Sequence, residues 1–274
     1  MNEVLNVALI TAGFAFALAF VLGTTLGFFR DFFAVPHDPL LDRILEALPG
    51  ANCGACGYAG CENYAKAITE GKIGISECLA GGSALPEKLS EITGLKGEAV
   101  ENVAAVLACQ GSYINTPQKG IYTGVESCRA AKLAAGSTKL CSWGCMGYGD
   151  CVRVCKFSAI TLNKTKGLPL VDRKKCTGCR MCMKECPQGL LKGVKKEQKG
   201  AIALCSNLSS NKQGVIKACK IACIKCGACV RVCPQKCIIL ENNIPVVDYS
   251  LCTACGACVE KCPTKSLSLL HLTL

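Results

Sequence analysis

The hydrophobic pattern divides the chain sharply. From Val4 to Phe29, VLNVALITAGFAFALAFVLGTTLGFF, no residue is charged. Those 26 positions are enough to span a bilayer with some tilt, so the pattern predicts a transmembrane helix, an anchor over residues 1–30. A cleaved signal peptide would bring a basic start, a shorter apolar core and a small-residue cleavage site. Here the start carries only Glu3, and Phe28, Phe29, Phe32 and Phe33 fill the exit. PHDP (Pro36 to Pro39) breaks the helix, and LLDRILEALPG follows as a short amphipathic turn or two ended by Pro49 and Gly50. ENYAKAITE reads as a helix stopped by Gly71. Pro86 to Ala108 is partly helical, and NVAAVLACQG ends in an apolar run that fits a buried strand or a helix end. Two later spacers share one design, ITLNKTKGLPLVDRKKC and IILENNIPVVDYSLC. Each is a β-branched run, a Gly or Asn turn and a second short run ending in Asp, the pattern of a β-hairpin.

Cysteine changes this picture most. The 274 residues include 25 cysteines, an odd number in a chain far too long for a small disulfide-stapled scaffold. Cys223, Cys226, Cys229 and Cys233 read C-x2-C-x2-C-x3-C-P. Thiolates are soft ligands for zinc or iron–sulfur clusters, but zinc sites usually take cysteines as two separated pairs. Three cysteines at successive x2 spacing, then Cys-Pro, is the bacterial ferredoxin run for cubane [4Fe–4S] clusters. The run recurs. CSWGCMGYGDCVRVCKFSAI, CTGCRMCMKECPQGL, CIKCGACVRVCPQKCI and CTACGACVEKCPTKSL align, and the two hairpin spacers join them in pairs. Two tandem bacterial-type two-cluster ferredoxin folds are therefore expected. A different candidate precedes them: Cys53, Cys56, Cys61 and Cys78, spaced x2, x4 and x16, with glycines that let the backbone wrap closely round a bulky cluster.

In two-cluster ferredoxins the fourth cysteine of each motif ligates the other cluster. On that rule the first unit gives Cys141, Cys145, Cys151 and Cys186 for one cluster, and Cys176, Cys179, Cys182 and Cys155 for the other. The second unit gives Cys223, Cys226, Cys229 and Cys262, then Cys252, Cys255, Cys258 and Cys233. The first motif is stretched to C-x3-C-x5-C, and Lys156 stands where the other closing cysteines have proline. Twenty cysteines then serve five expected [4Fe–4S] clusters. Cys109, Cys128, Cys205, Cys219 and Cys237 remain; as no four of them show ligand spacing, they read as buried or idle thiols rather than a sixth site.

The fold class is α+β: a transmembrane anchor, a small mostly helical 4Fe–4S domain over 31–90, a connector over 91–140, ferredoxin units over 141–190 and 219–274, and a connector over 191–218. The formal charge of +11 suggests nucleic acid or an anionic membrane. Five clusters of roughly −2 each nearly cancel it, and no nucleic-acid motif is present. Arg30 and Arg43 follow the span and no Lys or Arg precedes it, which puts a single-pass protein in the cell membrane with its bulk in the cytoplasm. Gly23 and Gly27 form a G-x3-G that could pack against another membrane helix. No G-x-G-x-x-G or P-loop is present, and neither His37 nor His271 has a metal-ligand partner nearby, so no catalytic residue is expected.

The N-terminal span, GANCGACGYAGCENYA with its later cysteine, ACQGS, SCRAAKLAAGSTKLCSWGCMGYGDCVRVC and the ferredoxin repeat together resemble the B subunits of Rnf ion-translocating electron-transport complexes, in the longer form with two ferredoxin units. The resemblance covers nearly the whole chain. It implies an electron relay within a translocase that exchanges electrons between soluble ferredoxin and NAD, with membrane and peripheral subunits and membrane lipid as partners. A polyferredoxin component of another membrane enzyme, such as a hydrogenase, is the alternative; it would have no reason to carry the Cys53 to Cys78 domain behind a single span. A redox sensor or zinc-binding interaction module needs fewer sites than this chain offers.

Overall fold

The computed structural model describes residues 2–33 and 38–270, in two units, Met1–Pro39 and Leu40–Leu274. Both histidines, and Pro36 of the PHDP break, lie outside the described residues.

The first unit is one helix, α1 (Asn2–Phe32), about 46 Å long at 1.5 Å per residue. Its stretch Leu9–Arg30 is long and apolar enough to cross a membrane, and none of it is buried in protein. The Thr24 and Thr25 hydroxyls donate back to carbonyls of the preceding turn, at 2.8–3.0 Å, which spares apolar surroundings an unpaired polar group. Phe28 stacks on Phe32 and Phe29 on Phe33 at the exit, the level where aromatic rings favour a membrane–water boundary. Around Gly23 and Gly27 a Cβ would meet nothing within 4 Å.

The second unit begins with three helices, α2 (Pro39–Ala47), α3 (Cys61–Thr69) and α4 (Leu85–Thr93). Ile44, Tyr64, Ile68 and Leu89 close their core, and the Tyr64 hydroxyl donates to Gly74 O at 3.1 Å. Asn52 Oδ1 accepts from Cys61 N–H at 2.8 Å, which ties the cysteine loop to the start of α3.

Everything after α4 is built from short pieces: strands β1 (Val103–Leu107), β2 (Ile160–Asn163), β3 (Leu168–Val171), β4 (Leu191–Lys195), β5 (Ala201–Ala203), β6 (Ile238–Glu241), β7 (Ile244–Val247) and β8 (Leu267–Leu269). They pair antiparallel into four two-stranded sheets. β2–β3 and β6–β7 are the two hairpins that the alternating spacers predict. The other two sheets join distant segments, β1 with β4 and β5 with β8. Residues 91–140 and 191–218, which read as connectors, therefore supply β1, β4 and β5. The sequence hides this because each partner lies far along the chain. Two longer helices also lie in these segments, α5 (Cys128–Ala135) and α8 (Lys212–Ala218). Four short helices lie within the cysteine motifs: α6 (Asp150–Arg153), α7 (Met181–Glu185), α9 (Ala228–Val232) and α10 (Ala257–Glu260).

Val106, Val194 and Ile202, from the segments that read as connectors, share one buried core with Leu270 of the second ferredoxin unit. Arg173 clamps the same seam, donating to Leu270 O at 2.6 Å and Lys196 O at 3.0 Å. One close approach fixes β1 against the second cysteine motif. Gly178 has φ +75°, and a Cβ there would stand 2.5 Å from Val103 O. Gly178→Ala should therefore cost about 2–4 kcal/mol in thermal unfolding, from left-handed strain plus overlap. Gly189→Ala, at φ +60° with open space, should cost only about 1–2 kcal/mol. Equal losses would mean that the Val103 approach carries no weight.

Candidate metal centres

The first site grows out of the helical core. Cys78 is buried in it, and Cys53, Cys56 and Cys61 pack on its rim. Burial pushes the Cys78 thiol up to about 11, against the Gly81 N–H, and Cys56, Cys53 and Cys61 all add to the rise. All four spaced cysteines thus face one another.

The ferredoxin motifs repeat one backbone device. Gly178, Lys225 and Ala254, each just before the second cysteine of a motif, have φ between +58° and +75°. Arg180, Gly227 and Gly256, each just after that cysteine, are left-handed again and cap α7, α9 and α10. Such alternation turns successive N–H groups into one concavity, the nest that favours anions and iron–sulfur centres. The residue three past each closing cysteine is left-handed too: Ser158, Gly189, Lys236 and Lys265. That turn brings the next N–H onto the closing sulfur in two motifs, Leu190 onto Cys186 at 3.5 Å and Ser266 onto Cys262 at 3.3 Å.

Three pockets result, each lined by four of the spaced cysteines. Cys155 joins Cys176, Cys179 and Cys182. Cys262 joins Cys223, Cys226 and Cys229. Cys233 joins Cys252, Cys255 and Cys258, and Cys237 lies there too, its Sγ 3.4 Å from that of Cys233. In every case the closing cysteine crosses from the neighbouring motif.

The stretched motif departs from the spacing-based grouping. Cys141 is not gathered with Cys145, Cys151 and Cys186. It packs in a separate core with Cys205, Cys219 and Cys223. A turn in which Gly144 N–H donates to Cys141 O, 3.1 Å, occupies the x3 gap. Cys128 stands near the remaining three. Burial pushes Cys151 up to about 12, with Cys128 and Cys186 adding to it, and burial raises Cys145 far above the ordinary thiol range, with Cys109 and Cys128 adding. Asp150 positions Cys128. Its buried carboxylate accepts from Ser127 Oγ at 2.9 Å and Arg129 N at 3.1 Å and pairs with Arg153, which fastens the start of α5 onto α6. Cys128 lies 17 residues before Cys145 in sequence, so spacing alone carries no mark of this proximity. The odd x3 and x5 gaps were the only signal.

Among the described residues no three His, Cys, Asp or Glu side chains gather closely enough for a single metal ion. Ligands of a cubane grasp separate corners and stand further apart than ligands of one ion. Orphaned buried donors fit such an occupant. Thr177 Oγ1, in the Cys155 pocket, and Lys225 Nζ, in the Cys262 pocket, have no hydrogen-bond partner. Each would cost about 1–3 kcal/mol or more if left so, and an anionic, sulfur-rich group supplies the acceptor. Cys262 is tuned most visibly. Burial alone would raise it, yet the hydroxyl and N–H of Ser266 and those of Thr264 hold it below the usual thiol value.

Comparison with known proteins agrees with this chemistry. Residues 48–80 match a family described as "Putative Fe-S cluster". Residues 141–190 and 222–266 match a 4Fe-4S dicluster domain, and a second 4Fe-4S dicluster domain matches 175–238. These domains imply several [4Fe–4S] clusters. The chain is 39% identical to the B subunit of the Na(+)-translocating ferredoxin:NAD(+) oxidoreductase complex of Acetobacterium woodii over 246 residues, 89% of this chain and 73% of the relative. It is 34% identical to the B subunit of the ion-translocating oxidoreductase complex of Methanosarcina acetivorans, covering 84% and 86%. It is also 34% identical to the B subunit of the proton-translocating ferredoxin:NAD(+) oxidoreductase complex of Clostridium ljungdahlii, covering 92% and 86%.

Two outcomes follow from the geometry. Cys155→Ser should remove the EPR signal that Cys179→Ser removes and leave the one that Cys151→Ser removes; loss of the Cys151 signal instead would refute the crossing. Ser266→Ala should lower one midpoint potential, because a donor to sulfur stabilises the more negative reduced state. A bond worth about 1 kcal/mol corresponds to about 40 mV for one electron. Redox titration of the variant against the wild type reads the shift.

Proposed function

The chain belongs to the family of B subunits of Rnf-type ion-translocating oxidoreductase complexes, which are iron–sulfur electron-transfer proteins, and from this we propose that it is the membrane-anchored relay between soluble ferredoxin and the partner subunits of a ferredoxin:NAD oxidoreductase. The observation that carries this is the unbroken succession of thiols through the second unit. Cys179 packs on the helical core that holds Cys53. Burial pushes Cys182 up to about 12, and Cys151 is among the thiols adding to it. Cys145 N–H donates to Cys109 Sγ at 3.4 Å. Cys141, Cys205 and Cys219 pack with Cys223, and Cys229 with Cys258.

When bound, each [4Fe–4S] cluster supplies one-electron chemistry near the potential its surroundings set. The residues do the rest. They hold the sulfurs, turn N–H donors inward and shield all but two of the thiols at least in part. Cys226 and Cys255 are the two exposed cysteines, so the second ferredoxin unit offers the accessible end for a soluble partner. The Cys53 site is nearest in sequence to α1, which suits hand-over to membrane subunits. Arg30 and Arg43, just after the span, favour a cytoplasmic position for the bulk of the chain. The direction of flow follows from the potentials of the partners.

A chain lacking residues 1–33 should be soluble, retain its iron and still be reduced by ferredoxin. Cys53→Ser should leave reduction of the remaining centres by ferredoxin intact, yet abolish ferredoxin-dependent NAD reduction by the assembled complex. Wild-type turnover with Cys53→Ser would take that centre off the path and overturn the proposed order.

A further inference from the structure

One pocket belongs to no motif. Cys109, Cys141, Cys205 and Cys219 line it together, though they come from four separate segments. Its free space, open in part to solvent, is about 320 Å³, against 350, 330 and 310 Å³ for the pockets closed by Cys155, Cys262 and Cys233. Equal room and an equal set of thiols suit the same occupant. The donors are already aimed: Gly111 N and Cys145 N at Cys109 Sγ, 3.3 and 3.4 Å, and the Asn207 amide at Cys141 Sγ, 3.5 Å.

Two observations independent of the thiols point to an anionic guest. Thr116 is 0% exposed, its Oγ1 has no hydrogen-bond partner, and it lines this pocket as Thr177 and Lys225 line theirs. Lys139 is also 0% exposed. Its ammonium donates to Gly111 O at 2.7 Å and Gly167 O at 3.4 Å and lies 4.6 Å from the Tyr113 ring centre. Carbonyls and a ring face leave its charge unbalanced, and an unbalanced buried charge costs several kcal/mol. Gly111, whose carbonyl takes the Lys139 ammonium, lines this pocket, so the charge stands directly behind its wall.

We propose that Cys109, Cys141, Cys205 and Cys219 hold a sixth [4Fe–4S] cluster, which links the two ferredoxin units. Cys128 then takes the place of Cys141 beside Cys145, Cys151 and Cys186, and only Cys237 lacks a ligand role. The link is physical on both sides: Cys145 reaches Cys109 through its N–H, and Cys205 and Cys219 share a core with Cys223. Transfer of a preformed cluster from a thiolate-bearing donor breaks its four Fe–S bonds to that donor and forms four to these sulfurs; the four protons lost here pass to the released donor thiolates, and no oxidant is required. The proposal rests on the cluster-holding reading of the other pockets.

The test uses the full chain purified without oxygen. Wild-type protein should contain about 24 irons and as many sulfides, where five clusters would give about 20. A content of about 20, with or without one zinc, overturns the sixth site alone; a chain holding zinc in place of iron overturns the reading of all the pockets. The double variant Cys205→Ser, Cys219→Ser should lose about four irons and one set of EPR signals, while Cys237→Ser loses none. Full iron in the double variant overturns the assignment. Should the double variant fail to assemble, the wild-type content still decides.

Discussion

The structure depends on bringing four sulfurs from distant segments round one anionic centre and turning backbone donors towards it. In the ferredoxin units the first three cysteines arrive together on a left-handed loop and a short helix, and the fourth crosses from the neighbouring motif. That crossing does what a hydrophobic core does elsewhere. The sheets are two-stranded and short, too small to be stable in isolation. Metal binding is therefore much of the folding free energy.

The electrostatics follow from the same requirement. Burial raises thiols such as Cys151, Cys182 and Cys258, so the protonated chain is at ease with those sulfurs inside and coordination must remove the protons. Once thiolates form, the surrounding donors cease to be a liability. The buried hydroxyls of Thr116 and Thr177 and the ammonium groups of Lys139 and Lys225 gain a negative neighbour. The high positive charge of the sequence belongs in part to this internal balance. It does not require an external polyanion.

A relay also needs centres of graded potential. The position four past each closing cysteine varies: Ala159, Leu190, Cys237 and Ser266. Two of these offer only N–H and apolar bulk, one a thiol 3.4 Å from its neighbour, and one a hydroxyl 3.4 Å from Cys262. Four copies of one motif can thus hold one cofactor at different potentials by changing a single side chain beside the sulfur.

Short-range spacing encodes a good part of this protein. The 26 uncharged residues give the helix α1; the period-two runs flanking Gly167 and Asn242–Asn243 give both hairpins; the x2 spacings group cysteines into threes. Each of these signals lies within about thirty residues of chain, so it is legible before any fold is known. Long-range packing settles the remainder. β1 finds β4 across more than eighty residues, and the apolar run at 103–107 carries no mark of that partner. Cys128 reaches Cys151 only because Asp150 fastens α5 to α6. Cys109, Cys141, Cys205 and Cys219 converge only after β1, β5 and α8 have packed, since no two of them share a motif and nothing in their spacing fixes the distance between their sulfurs.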